Sequence, residues 1–190
     1  MLDSIFLRIA KSAILARLDD SYKYDEDSLL EQYPFLLKDA AVFVTLKQAG
    51  DLRGCIGSVV AHRTLYDDLV SNALSAAFSD PRFQSLTTDE LQYLTLEVSV
   101  LSEPEILEYK DFEDLCNKIT PHVDGLILKH DIYQGTFLPQ VWAQLPTPKL
   151  FLEHLSMKAG SSLSIYEEHP TIYRYRVDAI EDNFDEVLPL

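Results

Sequence analysis

The sequence predicts an α+β fold, with a largely antiparallel sheet flanked by helices and a smaller appended subdomain. Three observations carry this expectation. Segments with period-two alternation neighbour one another through short turns, and amphipathic helical segments are inserted among them at irregular intervals. The regular strand, crossover helix, strand succession that a doubly wound parallel sheet requires is missing. At 190 residues the chain is long for one compact domain and short for two, so a single domain over 1–190 with a large and a small subdomain is expected.

Leu2, Ile5, Phe6, Ile9, Ala13 and Ala16 recur at helical spacing, interrupted by Arg8, Lys11 and Arg17, which predicts an amphipathic helix from Leu2 to Leu18. Tyr22 to Pro34 is polar and acidic and reads as a connector, since a residue before proline is driven out of the helical region. A strand follows in which Val42, Val44 and Leu46 alternate with Phe43, Thr45 and Lys47, and Ala49-Gly50-Asp51 turns the chain into Leu52-Arg53-Gly54-Cys55-Ile56-Gly57-Ser58. If the first set shares a face with Leu52, Gly54 and Ile56, the loop holds an odd number of residues, as a three-residue hairpin with Gly50 left-handed does. Arg53 and Cys55 then join Phe43, Thr45 and Lys47. An even loop reverses that pairing.

Thr64 to Ser79 reads as a helix capped by Thr64, with Asp67 and Asp68 in its first turns and Leu65, Leu69, Ala73, Ala76 and Ala77 on its apolar side. Asp80-Pro81-Arg82-Phe83 ends it. Thr87 to Glu90 offers a cap for a short helix over Thr88–Tyr93. Leu94, Leu96, Val98 and Val100 alternate with Thr95, Glu97 and Ser99 as a strand that Glu103-Pro104 closes. A helix over Asp111–Lys118, a strand over Val123–Lys129 turning near Gln134-Gly135, a return over Thr136–Val141, and a proline-first helix from Pro148 to Ala159 ended by Gly160 follow. Thr171 to Ile180 is read as one final strand.

Apolar residues make up 47% and charged residues 25%, an ordinary globular composition. A formal charge of −15 argues against direct nucleic-acid binding and against adhesion to anionic lipid. The charge is uneven: Lys38, Lys47, Arg53 and Arg63 outnumber Asp39 and Asp51, whereas Asp178, Glu181, Asp182, Asp185 and Glu186 make an acidic tail, expected to be solvated. The chain has two cysteines, Cys55 and Cys116, far apart and in no CxxC pattern, which argues against a disulfide framework or thiolate zinc site and fits a reducing, cytoplasmic location. No apolar run has the length of an export signal or membrane span.

The five histidines, His62, His122, His130, His154 and His169, lack metal-ligand spacing, so no metal is expected, and no cofactor either. Gly54 and Gly57 complete neither nucleotide-binding glycine motif. Tyr166, Tyr173, Tyr175 and Trp142 are read as core before base-stacking platforms. The seven residues from Leu52 remain. They place a guanidinium beside a thiol and flank the thiol with glycines, which cost strand stability unless something approaches the backbone closely. A lone strand cysteine is most often inert packing, but a neighbouring cation favours the thiolate. Arg82 has two readings: a turn bridge to Asp80, or a second cation beside Arg53 around an anion. Glu97, alone among apolar neighbours, needs a partner if buried, with Arg53 or Arg82 the natural candidates, and an ion pair and an acid/base role are both open.

These residues resemble the AMMECR family, also called AmmeMemoRadiSam system protein A. Leu52-Arg53-Gly54-Cys55-Ile56-Gly57 matches its LRGCIG signature, and similar blocks follow the family's order: Val42 to Leu46, Ala76-Ala77-Phe78, Asp80 to Phe83, Glu97 to Ser102, Asp124-Gly125-Leu126 and Leu138 to Val141. Thr120-Pro121-His122-Val123 departs from the glycine-and-basic lead-in expected before Asp124. The resemblance implies a two-part α+β protein of the cytosol, acting in a modification pathway with a Memo-like protein and a radical SAM protein. It points to Arg53, Gly54, Cys55 and Gly57, and after them Arg82 and Glu97, as the functional site; the leading expectation is an enzyme or enzyme subunit whose small anionic or nucleotide-like substrate is bound by Arg53, Gly54, Gly57 and Arg82, with Cys55 and Glu97 as catalytic residues. The alternative is a non-catalytic adaptor that docks those partners through the LRGCIG edge.

Overall fold

A computed structural model describes residues 2–190 as two units, one comprising the residues up to Leu101 together with Asp178–Leu190 and the other Ser102–Val177. The elements in chain order are α1 (Ile5–Leu18), α2 (Glu26–Gln32), β1 (Ala41–Gln48), β2 (Asp51–Gly57), α3 (Leu65–Phe78), β3 (Leu94–Leu101), β4 (Glu105–Ile106), α4 (Phe112–Lys118), β5 (Gly125–His130), β6 (Tyr133–Phe137), α5 (Pro148–Lys158), β7 (Thr171–Tyr175) and β8 (Val177–Asn183). They form two four-stranded antiparallel sheets, ordered β2-β1-β3-β8 and β4-β7-β5-β6, so the fold is α+β. No helix of the described residues is long and apolar enough to cross a membrane.

In the first unit, period-two patterning becomes a core. Val42, Val44 and Leu46 of β1 pair with Val100, Val98 and Leu96 of β3 and are fully buried with Ile9 and Ile14 of α1 and Leu69 and Ala73 of α3. Each large aliphatic side chain buried there contributes about 1.5–3 kcal/mol. Thr64 caps α3 as expected, its hydroxyl accepting the Asp67 N–H. Fully buried Asp68 accepts from the Val42 N–H at 2.8 Å, the Ser58 hydroxyl and the Arg63 guanidinium, tying α3 to the start of the sheet.

The β1–β2 hairpin reaches the expected face pairing by another route. Its turn is the even pair Ala49-Gly50, both with positive φ (53° and 87°), which suits the twist of flanking strands. A bulge then restores the phase: Lys47 lies opposite Leu52 and Leu46 opposite Gly54, leaving Arg53 as the extra residue. Val44 and Leu46 thus face with Ile56 and Gly54, and Cys55 lies opposite Thr45, while Leu52 leaves the core set and is exposed. Gly54 is required by packing, because a Cβ there would overlap the Ala76 carbonyl of α3.

Four expectations are corrected. The acidic connector holds α2, whose cap Asp25 accepts the Ser28 N–H, followed by a 3-10 turn over Pro34–Leu37. The turn after β5 falls at Asp131-Ile132, closed by His130 opposite Tyr133, so Gly135 lies inside β6. The single final strand is two, β7 in the second sheet and β8 in the first, separated at Arg176. The acidic tail is anchored: Phe184 and Val187 are buried, and the Lys11 ammonium donates to their carbonyls at 2.6 and 2.9 Å. Apolar residues between the acids decide this, since burying them outweighs keeping the stretch in water.

The second unit packs α4 and α5 on its sheet, with Leu115, Leu126, Leu128, Leu152, Leu155 and Ile172 at its centre and Trp142 stacked on Phe151 at 3.9 Å. Tyr166 and Tyr175 are buried, as the core reading expects. A Gly54→Ala substitution is expected to destabilise the chain by about 1–3 kcal/mol through overpacking against α3, read as a lowered urea midpoint. Leu52→Ala, at an exposed neighbour, is expected to change stability by about 0.5 kcal/mol or less; equal midpoints for the two variants would contradict the close approach.

Candidate functional site

β2 is an edge strand, so the outward N–H and C=O of Cys55 need partners from outside the sheet. The turn after α3 supplies both. The Cys55 N–H donates to Asp80 Oδ2 at 2.9 Å, and Arg82 Nη2 donates to the Cys55 carbonyl at 3.0 Å. Arg82 also grips Asp80 in two-pronged fashion, Nε to Oδ1 at 2.9 Å and Nη2 to Oδ2 at 2.7 Å. That bond to Arg82 holds the buried Asp80 carboxyl well below the usual carboxylate range, against the burial that raises it, with the Cys55 N–H helping. The bridge reading of Asp80-Pro81-Arg82 therefore holds, and its cation is committed.

Arg53, bulged out of the ladder, is committed as well. Its Nε donates to Glu90 Oε1 at 2.7 Å, and its Nη2 to Glu90 Oε2 at 3.2 Å and to the Gln84 carbonyl at 3.0 Å. Nη1 is buried without a hydrogen-bond partner. Glu90 closes the capping box with Thr87, and its bond to Arg53 lowers its carboxyl below the ordinary value. The regular alternation that set Arg53 beside Cys55 on one pleat is broken by the bulge, and its guanidinium runs to the segment 84–90 instead. Neither arginine turns to Glu97.

The Cys55 sulfur lies on the sheet face turned from the core side chains. Thr45, directly opposite and itself buried, donates its hydroxyl to Cys55 Sγ at 3.3 Å. Glu97 is the next residue across, opposite Thr45 on β3. Its partner is Lys47, whose ammonium donates to Glu97 Oε2 at 2.7 Å and also to Glu181 of β8, while the Ser99 hydroxyl donates to Glu97 Oε1 at 3.2 Å. Burial lowers the Lys47 value, but its bonds to Glu181 and Glu97 win and hold the ammonium above its usual range. Sequence reasoning put Lys47 and Thr45 on one face but missed both links, which depend on β3 and β8 lying beside β1. A Cβ on Gly57 would overlap the Phe43 ring, so the room left by the signature glycines is filled by Ala76 and Phe43. Among the described residues no group of histidines, cysteines and carboxylates could hold a metal ion.

The family model AMMECR1 matches residues 7–180. The chain belongs to the AMMECR1 family. A relative from Methanothermobacter thermautotrophicus is 38% identical over 144 residues, covering 75% of this chain and 75% of its own. One from Methanocaldococcus jannaschii is 33% identical over 168 residues, covering 86% of this chain and 84% of its own. The crystal structure of an uncharacterized protein from Pyrococcus horikoshii superposes with a TM-score of 0.80 at 31% identity, covering 98% of this chain and 96% of that one. Leu52 to Gly57, within the matched residues, lies on β2, and the polar contacts of Arg53 and of the Cys55 backbone hold that strand in place.

Asp80 and Glu90 both have folded-state values below their unfolded ones, so their stabilisation is complete above an ordinary carboxylate value of about 4 and is lost as pH falls toward the depressed values. Arg82→Gln is expected to cost about 1 kcal/mol at neutral pH, discounted for the half-exposed guanidinium, and to flatten the loss of stability below about pH 5. Urea unfolding at several pH values checks this, and a pH slope identical to that of the parent chain would contradict it.

Proposed function

We propose that this AMMECR1 chain is an enzyme or enzyme subunit acting on a small anionic or nucleotide-like substrate, and that it works on the sheet face bearing Cys55, Thr45, Lys47, Glu97 and Ser99. The observation that carries this reading is the hydroxyl of buried Thr45 donated to the sulfur of Cys55, a half-buried residue whose own backbone is clamped on both sides. A thiol held this way has its nucleophilic atom in one place before a substrate arrives, which is what positioned nucleophiles require. Cys55 is the nucleophile or substrate contact. Glu97 is the orienter or acid/base group, one strand beyond Thr45. Lys47 is the cation of this face.

Arg53 and Arg82 enter the reading as the frame that positions Cys55, since each is engaged by a carboxylate at 2.7 Å. Gly54 and Gly57 serve the same frame. A Memo-like protein and a radical SAM protein are the partners the family resemblance implies, and the cytosol the expected place.

One observation favours the adaptor reading instead: with both backbone groups of Cys55 satisfied internally, β2 is a stiff edge suited to rigid docking. Alkylation by iodoacetamide separates the two in a Cys116→Ser background, useful because Cys116 is packed against the second core and its thiol is pushed up by burial. Labelling of Cys55 in the folded chain, altered several-fold by Thr45→Val and slowed by nucleotide, is the expected result. Labelling only at the rate of global unfolding would leave Cys55 as packing and the adaptor reading standing.

A further inference from the structure

The second unit contains a cavity of about 280 Å³ lined by Ser102, Glu105, Arg174, Tyr175 and Arg176. Its two arginines differ from three in the first unit. Arg53, Arg63 and Arg82 each reach a carboxylate at 2.7 Å, whereas Arg174 Nη2 stands 3.9 Å from Glu105 and Arg176 Nε 3.8 Å from Asp124. Both separations exceed hydrogen-bond length. Among the described residues neither guanidinium makes a side-chain hydrogen bond, although each carries five N–H donors in a rigid fork. Two unspent forks meet at one cavity.

The surroundings fix the backbones that carry these forks and leave the guanidinium groups unsatisfied, Arg174 partly buried and Arg176 exposed. Arg174 lies in β7 between Glu105 of β4 and Leu126 of β5, which fixes its backbone from both sides. The Arg176 N–H donates to the Ser102 hydroxyl at 3.0 Å, and its carbonyl accepts from the Ser102 N–H at 2.9 Å. Asp124 is fully buried, with Oδ2 accepting the Thr120 N–H at 2.8 Å and Oδ1 lacking a hydrogen-bond partner. Its charge positions Arg176 from below, at a distance that leaves the guanidinium donors unused. Glu105 is the one acid among the lining residues and is largely exposed, and Asp124 lies beneath Arg176, so the two guanidinium groups face two carboxyl groups, neither of which accepts a hydrogen bond from them.

We propose that this cavity is a phosphate-binding site that takes the phosphate group of a small molecule. A phosphate offers several oxygens to two guanidinium forks at once and carries more charge than a carboxylate of similar size. The cavity has room for the group and a short attached fragment. It is independent of the Cys55 face, and either assignment can fail while the other stands.

Calorimetric titration of the full chain with inorganic phosphate, and with acetate at matched ionic strength, tests the site. Saturable one-to-one phosphate binding is expected, with acetate about tenfold weaker and each of Arg174→Gln and Arg176→Gln weakening phosphate about tenfold. Glu105→Gln, at an exposed position that does not threaten folding, is expected to tighten phosphate about threefold by removing a like charge. Phosphate binding that does not saturate, that survives the double arginine variant, or that Glu105→Gln leaves unchanged would overturn the proposal.

Discussion

The hydrogen bond from the Cys55 N–H to the Asp80 carboxylate closes the exposed edge of the first sheet, and much of the surrounding geometry depends on it. An edge strand left open presents unpaired backbone groups to any passing chain. Here the turn after α3 acts in place of a fifth strand, with Asp80 accepting and Arg82 donating to the same residue. That contact brings the following segment alongside β2, where the Gln84 carbonyl and the Glu90 carboxylate receive the bulged Arg53. A carboxylate buried as deeply as Asp80 is tolerable only because every charge-assisted donor it faces is in place.

The same arrangement divides the signature into two kinds of residue. Arg53, Gly54 and Gly57 are taken up by neighbours of the same unit, Arg53 by the segment 84–90, Gly54 by α3 on the core face and Gly57 by Phe43 on the other. The sulfur of Cys55 is turned to the polar face, where its hydrogen-bond partner is Thr45 and not an arginine. Across that face the charges run in a chain, Glu97 to Lys47 to Glu181, so the ammonium is shared between two acids and one of them is shared with Ser99. The contacts of this stretch hold in place the strand that carries the Cys55 sulfur.

Local pattern determined the helices at Ile5–Leu18, Leu65–Phe78 and Pro148–Lys158 and the alternation in β1 and β3, because periodicity and capping act over a few residues. It left the facing of Cys55 with Thr45 conditional on one extra residue in the hairpin, and the structure supplies that residue in a bulge and not in the turn. It did not determine where that residue sits, and the fate of Arg53 turned on this. Nor did anything between Thr171 and Ile180 mark a change of sheet at Arg176: alternation continues through it, and sheet membership is set by which distant strand lies alongside. The partners of Arg53, Arg82, Glu97 and the tail were decided by tertiary structure for the same reason. A charged side chain pairs with whatever group strand order and burial bring within reach, and those groups are tens of residues away in the chain.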